Sequence, residues 1–256
     1  MLVRAVHDRD ELAGLLRRDA ALHTYELGDL DDFFWPYTTW YRHGDQLALL
    51  YHGGGMPTLI ALAPPAATAD LTAVLRGLVS LLPRRLYAHL SPGAVAALAD
   101  HFEIIEGGPH RKLALTDPDR LAAAAAAGEV LTRADLPEVA ALYAAAYPGN
   151  WFDPRMIDTG HYVGIRRAGG LLAVAGVHVW SATYRVAALG NVTTHPQARR
   201  QGLARAAVAA VCRRLRETVD HVTLNVKADN HAALALYGGL GFTPITQYEE
   251  YGLTAR

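Results

Sequence analysis

Three arginines and a glycine stand where an apolar, β-branched stretch gives way to an alanine-rich amphipathic one. The chain reads "NVTTHPQARRQGLARAAVAAVCRRL" from Asn191 to Leu215. The first amides of a helix have no intrahelical partner, and the macrodipole adds about half a positive charge there. Gly202 lets backbone approach a ligand closely, Ala204 keeps the entry clear, and arginines fork onto phosphate oxygens. Those residue types at a strand-to-helix junction make a cradle for an anion, a diphosphate in particular. A Walker loop needs a lysine and a hydroxyl residue after the glycine, and a dinucleotide fingerprint needs more glycines. The loop has neither. A solvated basic patch is the competing reading.

A second group follows one strand later. Asn230 suits a helix N-cap, Ala233 and Tyr237 share a helix face four residues apart, and Gly241-Phe242 closes the segment. Alone, Tyr237 reads as a packed aromatic. The two groups in this order, separated by one strand, are more specific than either.

The elements that must position them are legible. "TRADLPEVAALYAAAY" predicts a helix from about Leu136, and "DPRMIDTG" a short one capped by Asp153. "HYVGIRRAGGLLAVAGVHVWS" predicts a hairpin, "YRVAALGNVTTH" a third strand and "DHVTLNVKA" a fourth. The unit from Val186 to Val226 is then a parallel strand–helix–strand crossover. "TPITQYEEYGL" reads as a last strand. In the first half, "DQLALLYH" and "PTLIALAPP" read as strands around Gly53–Gly55, and "TADLTAVLRGLVSLL" as a helix capped by Thr68 or Asp70. "RRLYAHL" reads as a strand, "PGAVAALADHF" as a short helix and "EIIEGGPHRKLAL" as a strand pair around a glycine turn. The run Thr116–Val130, rich in alanine, reads as a helical connector. The expected division is residues 1–116, a linker at 117–128, and 129–256.

An internal echo supports two similar halves. "RRLYAHLSPGAVAALADHFEII" and "DHVTLNVKADNHAALALYGGLGFTPI" share the order strand, polar turn, alanine-rich helix, Phe, strand. The first half lacks the chemistry. Its long helix follows "APPAATADL", without arginine or glycine, and the position matching Tyr237 falls around Ala97.

Composition bounds the partners. The chain has 256 residues, 51% hydrophobic, with a formal net charge of −1. That is enough for two domains and argues against general affinity for nucleic acid or acidic membrane. The single Cys212 excludes an internal disulfide and fits a reducing cytoplasm. "MLVRAVHDRDELAGLL" lacks the apolar core of a signal peptide, and no run reaches the length of a membrane span. The 12 histidines show no metal-ligand spacing beside a carboxylate, so no metal is expected. The aromatic run "FFWPYTTWY" suits either packing core or an acceptor-pocket wall.

The pattern Arg199-x-x-Gly202-x-Ala204, with Asn230, Ala233, Tyr237, Gly241 and Phe242 downstream, resembles the GNAT superfamily of acyl-CoA-dependent N-acyltransferases. The resemblance covers roughly Val130 to the C-terminus, including the Val192-x-x-x-Pro196 approach. It implies a mixed, mostly antiparallel α/β sheet flanked by helices, here as two tandem domains with the first diverged. It implies that the backbone of Val192, Thr193 and Thr194 pairs with a pantetheine arm. The amides of Arg200, Gln201, Gly202, Leu203, Ala204 and Arg205 would hold the pyrophosphate of acetyl-CoA, with Arg199, Asn230 and Ala233 also at the cofactor. Tyr237 would lie near the thioester sulfur and protonate the leaving thiolate. Family members often supply a carboxylate base from the strand before or after the loop. This chain has none there, leaving His178, a water held by Asn225, or no base. Asn150 and Trp151, in "YPGNWFDP", are the candidates for acceptor specificity. The acceptor would be a small-molecule or peptide amine, and the protein a monomer or homodimer. Two rivals stand: a catalytically silent acyl-CoA-binding module, and a tandem transferase using aminoacyl-tRNA.

Overall fold

A computed structural model of the chain describes residues 3–167 and 169–256. The first elements are β1 (Arg4–Val6), α1 (Arg9–Leu16), α2 (Thr24–Gly28), β2 (Thr38–His43), β3 (Gln46–Tyr51) and β4 (Thr58–Ala61). α3 (Thr68–Leu78), β5 (Arg85–Leu90), β6 (Phe102–Leu115), α4 (Pro118–Ala123), β7 (Glu129–Val130), α5 (Leu136–Ala146) and β8 (Val163–Arg167) follow. The last are β9 (Gly170–Ser181), β10 (Val186–Thr194), α6 (Leu203–Leu215), β11 (His221–Lys227), α7 (His231–Gly238) and β12 (Phe242–Ala255). Among the described residues no helix is long and apolar enough to cross a membrane.

The chain forms two compact units: Met1–Lys112 with Lys227–Asp229 and Pro244–Arg256, and Leu113–Val226 with Asn230–Thr243. Chain order places 244–256 with the second half; in the structure these residues complete the first unit. β12 pairs antiparallel with β5, from Glu249↔Leu90 to Thr254↔Arg85. The first unit's strands run β1-β2-β3-β4-β5-β12-β6, with β4 and β5 parallel. Its core sets Leu71, Val74, Leu75 and Leu78 of α3 against Ala48, Leu59, Leu86 and Ala88. Those four α3 positions form one helical stripe.

The second unit's strands run β11-β10-β9-β8-β7. β10 and β11 are parallel and joined through α6, as the crossover predicts. Buried Leu203, Ala207, Val208, Val211, Cys212 and Leu215 make one stripe on α6. Burial pushes the Cys212 thiol up, which keeps it protonated and inert.

Several local expectations change. α3 starts at Thr68 with Ala67 at the cap position and no side-chain cap. A 3-10 turn, Ala94–Ala97, replaces the helix read in "PGAVAALADHF". The alanine run is helical only to Ala123, because Arg213 of α6 gathers the carbonyls of Leu121, Ala122 and Ala124 and ends the helix there. The expected strand pair around Gly107-Gly108 is one continuous strand, β6. A Cβ on Gly107 would stand 3.0 Å from the Glu250 carbonyl oxygen, so this glycine admits a neighbouring backbone rather than turning the chain. Phe34 and Trp40 of the aromatic run are buried in the first unit, with Trp35 stacked on Trp40.

Candidate active site

The loop that enters α6 is built for unpaired amides. Arg200 has φ 62° and Gly202, at the N-cap position, has φ 76°. Two left-handed residues so close together turn successive N–H groups toward one side. Gly202 offers no side chain as a cap, and the first bond inside the helix runs from the Ala206 N–H to the Gly202 carbonyl. The amides of Leu203, Ala204 and Arg205 therefore lack helical acceptors. Arg199 and Arg200 are exposed beside them. Gln201 accepts from Arg167 at 2.9 Å, and Arg205 donates to the Gly239 carbonyl at the end of α7, 3.0 Å away. The loop thus offers one anion-sized set of donors, with Arg205 committed to joining α6 to α7.

β10 leads to this loop and parts from its neighbour before reaching it. The β10–β11 ladder runs from Val186↔His221 to Leu189↔Leu224, while β10 continues to Thr194. Beyond Leu189, β10 is held by β9 alone, at Gly190↔Gly176, Thr193↔Val174 and Thr194↔Ala173. An extra residue lies in β10 between Gly190 and Thr193, where Asn191 takes φ 55°. Hydrogen bonds lock this bulge. The Asn191 carbonyl accepts from Tyr143 of α5 at 2.9 Å, the Asn191 amide donates to the Tyr162 hydroxyl at 3.1 Å, and Tyr162 donates to the Val177 carbonyl at 2.9 Å. Burial pushes both tyrosine hydroxyls up, so both remain donors. Val192, Thr193 and Thr194 lie on the stretch where β10 has left β11, and the Thr194 hydroxyl is buried without a partner.

His178 lies over a glycine of β10, one position past the end of the β10–β11 ladder. β9 has its own bulge: Val179 pairs with Ala188 and Val177 with Leu189, leaving His178 as the extra residue. A Cβ on Gly190 would lie 2.0 Å from Cδ2 of the His178 ring, so the imidazole rests on β10 where only glycine fits. Gly190 is one step past the last β10–β11 pair, beside Asn225. Alternation puts Gly190, Ala188 and their neighbours Asn225 and Thr223 on one face of the sheet. The Asn225 Oδ1 and the Thr223 hydroxyl are both buried without partners.

Tyr237 is buried on α7, edge-on to Phe242 with ring centroids 5.8 Å apart. Burial, then the neighbouring Cys212 and Tyr147, push its hydroxyl well above the usual tyrosine value. It is a protonated donor at any physiological pH. Asn230 caps α7, its Oδ1 accepting from the Ala233 N–H at 3.1 Å. Asn150 spends its side chain inside its own loop, donating to Tyr147 and accepting from the Phe152 N–H. Trp151 is half exposed, and Phe152 packs between Tyr143 and Tyr162.

Gly190, Gly176, Tyr143, Tyr162 and Thr223 were not singled out from sequence. One signal was available: a glycine inside an apolar strand marks a bulge or a close approach, and "ALGNV" and "VAGVH" each contain one. Among the described residues no group of three His, Cys, Asp or Glu is arranged to hold a metal.

A family model described as "FR47-like protein" matches residues 162–251, the segment that carries the bulges, the loop and α7. No curated protein sequence matches. Solved structures do, over nearly the whole chain. A Drosophila protein superposes with a TM-score of 0.72 at 16% identity, covering 99% of this chain and 98% of its own. A GCN5-related N-acetyltransferase from Kribbella flavida gives 0.59 at 21%, covering 92% and 94%. A tandem GNAT protein from the clavulanic acid biosynthesis pathway gives 0.54 at 18%, covering 98% of each. The chain has the fold of these structures, a mixed α/β architecture with a mostly antiparallel sheet flanked by helices, as the resemblance implies.

Proposed function

We propose that the chain is an N-acyltransferase that moves an acetyl or short acyl group from acyl-CoA to an amine. One observation carries this reading: an uncapped helix N-terminus preceded by two left-handed residues stands at the mouth of an opened strand pair. The amides from Arg200 to Arg205 suit a pyrophosphate, with the Arg199 side chain beside them, and the exposed β10 edge at Val192–Thr194 suits an amide-bearing arm. Acyl-CoA would supply the activated thioester. Around it, the bulge at Asn191–Val192 turns a backbone N–H toward developing negative charge on the carbonyl oxygen. Tyr237 hands its hydroxyl proton to the departing sulfur, and His178, beside Asn225, takes the proton from the amine. Asn230 and Ala233 border the cofactor, Asn150 and Trp151 the acceptor side. No metal enters.

The test is calorimetric titration with acetyl-CoA. Binding at one site per chain, abolished by Gly202→Glu, is expected; no binding by the wild type overturns the reading. One specific observation favours a second reading, a silent acyl-CoA-binding module: neither β10 nor the paired part of β11 carries a carboxylate. Thiol release with a panel of amines separates the two. A net charge of −1 weighs against an aminoacyl-tRNA donor and against nucleic-acid or membrane partners. We place the protein in the cytoplasm, as a monomer or homodimer.

A further inference from the structure

The face of the second unit's sheet beside the β10 bulge is paved for a ligand. Gly176 and Gly190 are cross-strand partners. A Cβ on Gly176 would lie 2.3 Å from the Tyr162 ring, and one on Gly190 2.0 Å from the His178 ring. Paired residues point the same way, so the two rings lie side by side on a floor of glycine. Next to them, on the same face, stand the buried, unpartnered Thr223 hydroxyl and Asn225 Oδ1. A polar atom buried without a partner is costly, so two neighbours in that state point to a missing hydrogen-bond donor.

The groups around this face are neutral acceptors and aromatic rings. Phe152 packs against Tyr162 with the rings tilted at 59°, and Trp151 and Tyr147 stand at the outer end of the same loop with about half their surface exposed. The Tyr143 and Tyr162 hydroxyls are committed to backbone carbonyls. The carboxylate that reaches this neighbourhood, Asp153, is held by the Arg155 guanidinium at 2.6 Å and is neutralised by it. An ammonium entering here would lose water and gain no counter-charge, which disfavours it.

We infer that the acceptor is a weakly basic aromatic amine, one that is uncharged at neutral pH. This rests on the acyltransferase reading above and specifies its second substrate. The ring lies against Phe152 and the loop aromatics. One N–H donates to Asn225 Oδ1 or the Thr223 hydroxyl and the other to His178, which leaves the nitrogen lone pair free to attack. The new N–C bond forms as the C–S bond breaks; the amine proton passes to His178 and the sulfur takes the Tyr237 proton. An alkylamine of ordinary basicity, pKa about 10.4, is neutral in only about one molecule in 10³ at pH 7.4, so it must pay for deprotonation outside the site.

The experiment compares aniline with benzylamine on the full chain with acetyl-CoA, reading thiol release from pH 7 to 9 and acetyl-CoA binding by calorimetry. We expect kcat/KM at pH 7 to favour aniline by about tenfold or more. The aniline rate should be flat with pH while the benzylamine rate climbs about tenfold per pH unit. Asn225→Asp, which adds a counter-charge in the same volume, should narrow the ratio about tenfold or more. Benzylamine equal to or better than aniline at pH 7, or neither amine being used while acetyl-CoA binds, overturns the inference and leaves cofactor binding intact. An unchanged ratio in Asn225→Asp overturns the assignment of this face. Absence of acetyl-CoA binding overturns the acyltransferase reading itself, and this inference with it.

Discussion

Both units contain a parallel strand pair joined through a helix, and the two pairs end differently. In the first unit β4 and β5 stay in register from Thr58↔Tyr87 to Ala61↔Leu90. The seam continues past the strand end: the Ser91 N–H donates to the Ala61 carbonyl, and the Ser91 hydroxyl accepts from the Ala63 N–H at 2.9 Å. In the second unit β10 and β11 part after four pairs, and two bulges keep them apart. The helix entries differ likewise. α3 follows a 3-10 turn, Pro65–Ala67, while α6 follows two left-handed residues with bare amides. One topology thus gives a closed seam or an open cleft, depending on a bulge residue and a glycine.

The polar side chains beside β5 and β11 divide the same way. On the first unit's sheet, Glu250 accepts from Tyr87 and from Tyr248 at 2.8 Å, with His89 and His110 at 3.5 and 3.4 Å. His110 Nδ1 faces the Gly108 carbonyl at 3.1 Å. Two tyrosine hydroxyls donate to this carboxylate and two imidazoles crowd it, so it is partnered within the first unit. Echoing positions in the second unit, Thr223 and Asn225, are left unsatisfied. A satisfied cluster reads as structure, an unsatisfied one as a site.

The largest effect expected from this contrast is on cofactor binding. Gly202→Glu places a side chain at φ 76° and a negative charge among the bare amides. Losing two or more charge-assisted hydrogen bonds should weaken acetyl-CoA by about 10³-fold or more. Asp70→Ala, at the start of α3, should leave binding unchanged. Two sites per chain in the wild type, read by calorimetric stoichiometry, would break the comparison. Tyr237→Phe should lower kcat by about 10²-fold with little change in acetyl-CoA affinity, because it removes a proton donor and no binding surface. A wild-type rate in stopped-flow thiol release removes Tyr237 from the reaction.

Much of this contrast could be read from sequence, and the unreadable part has a physical cause. Gly202, the arginines and Asn230 declare themselves because helix-terminus chemistry is local. The crossover is legible because hydrophobic periodicity changes at each junction. His178 over Gly190 is not local: it depends on a β9 bulge that shifts one strand against another. The fate of residues 244–256 is likewise set by pairing with β5, about 160 positions earlier in the chain, and "TPITQYEEYGL" shows only that they are extended. The alanine run misleads because propensity is overruled by one tertiary contact, Arg213 on three carbonyls.

A smaller effect tests whether the bulge must be held open. Tyr143→Phe removes the donor to the Asn191 carbonyl and leaves the ring against Phe152. With a net value of about 1 kcal/mol for that hydrogen bond, stability should fall slightly and kcat about fivefold to tenfold. Asn191→Gly keeps the left-handed backbone and loses only the bond to Tyr162, so it should resemble Tyr143→Phe. Asn191→Val, β-branched at φ 55°, should be worse in both respects. Equal activity of the glycine and valine variants would show that the bulge conformation has no bearing on turnover.

The smallest effect on turnover is expected where the first unit's seam is cut. Ser91→Ala removes the hydroxyl that both accepts from the Ala63 N–H and donates to its carbonyl, all within a buried site. Two backbone groups lose their partner, so unfolding free energy should drop by about 1–3 kcal/mol, measured by urea denaturation. The thiol-release rate should not change, since the polar groups of this seam are paired with one another. A seam whose loss costs stability alone, set against a bulge whose loss costs rate, separates what the closed pair does from what the open pair does. A fall in rate matching that of Tyr143→Phe would mean that the first unit's seam shapes the second unit's chemistry, and that the division between a structural half and a reactive half fails.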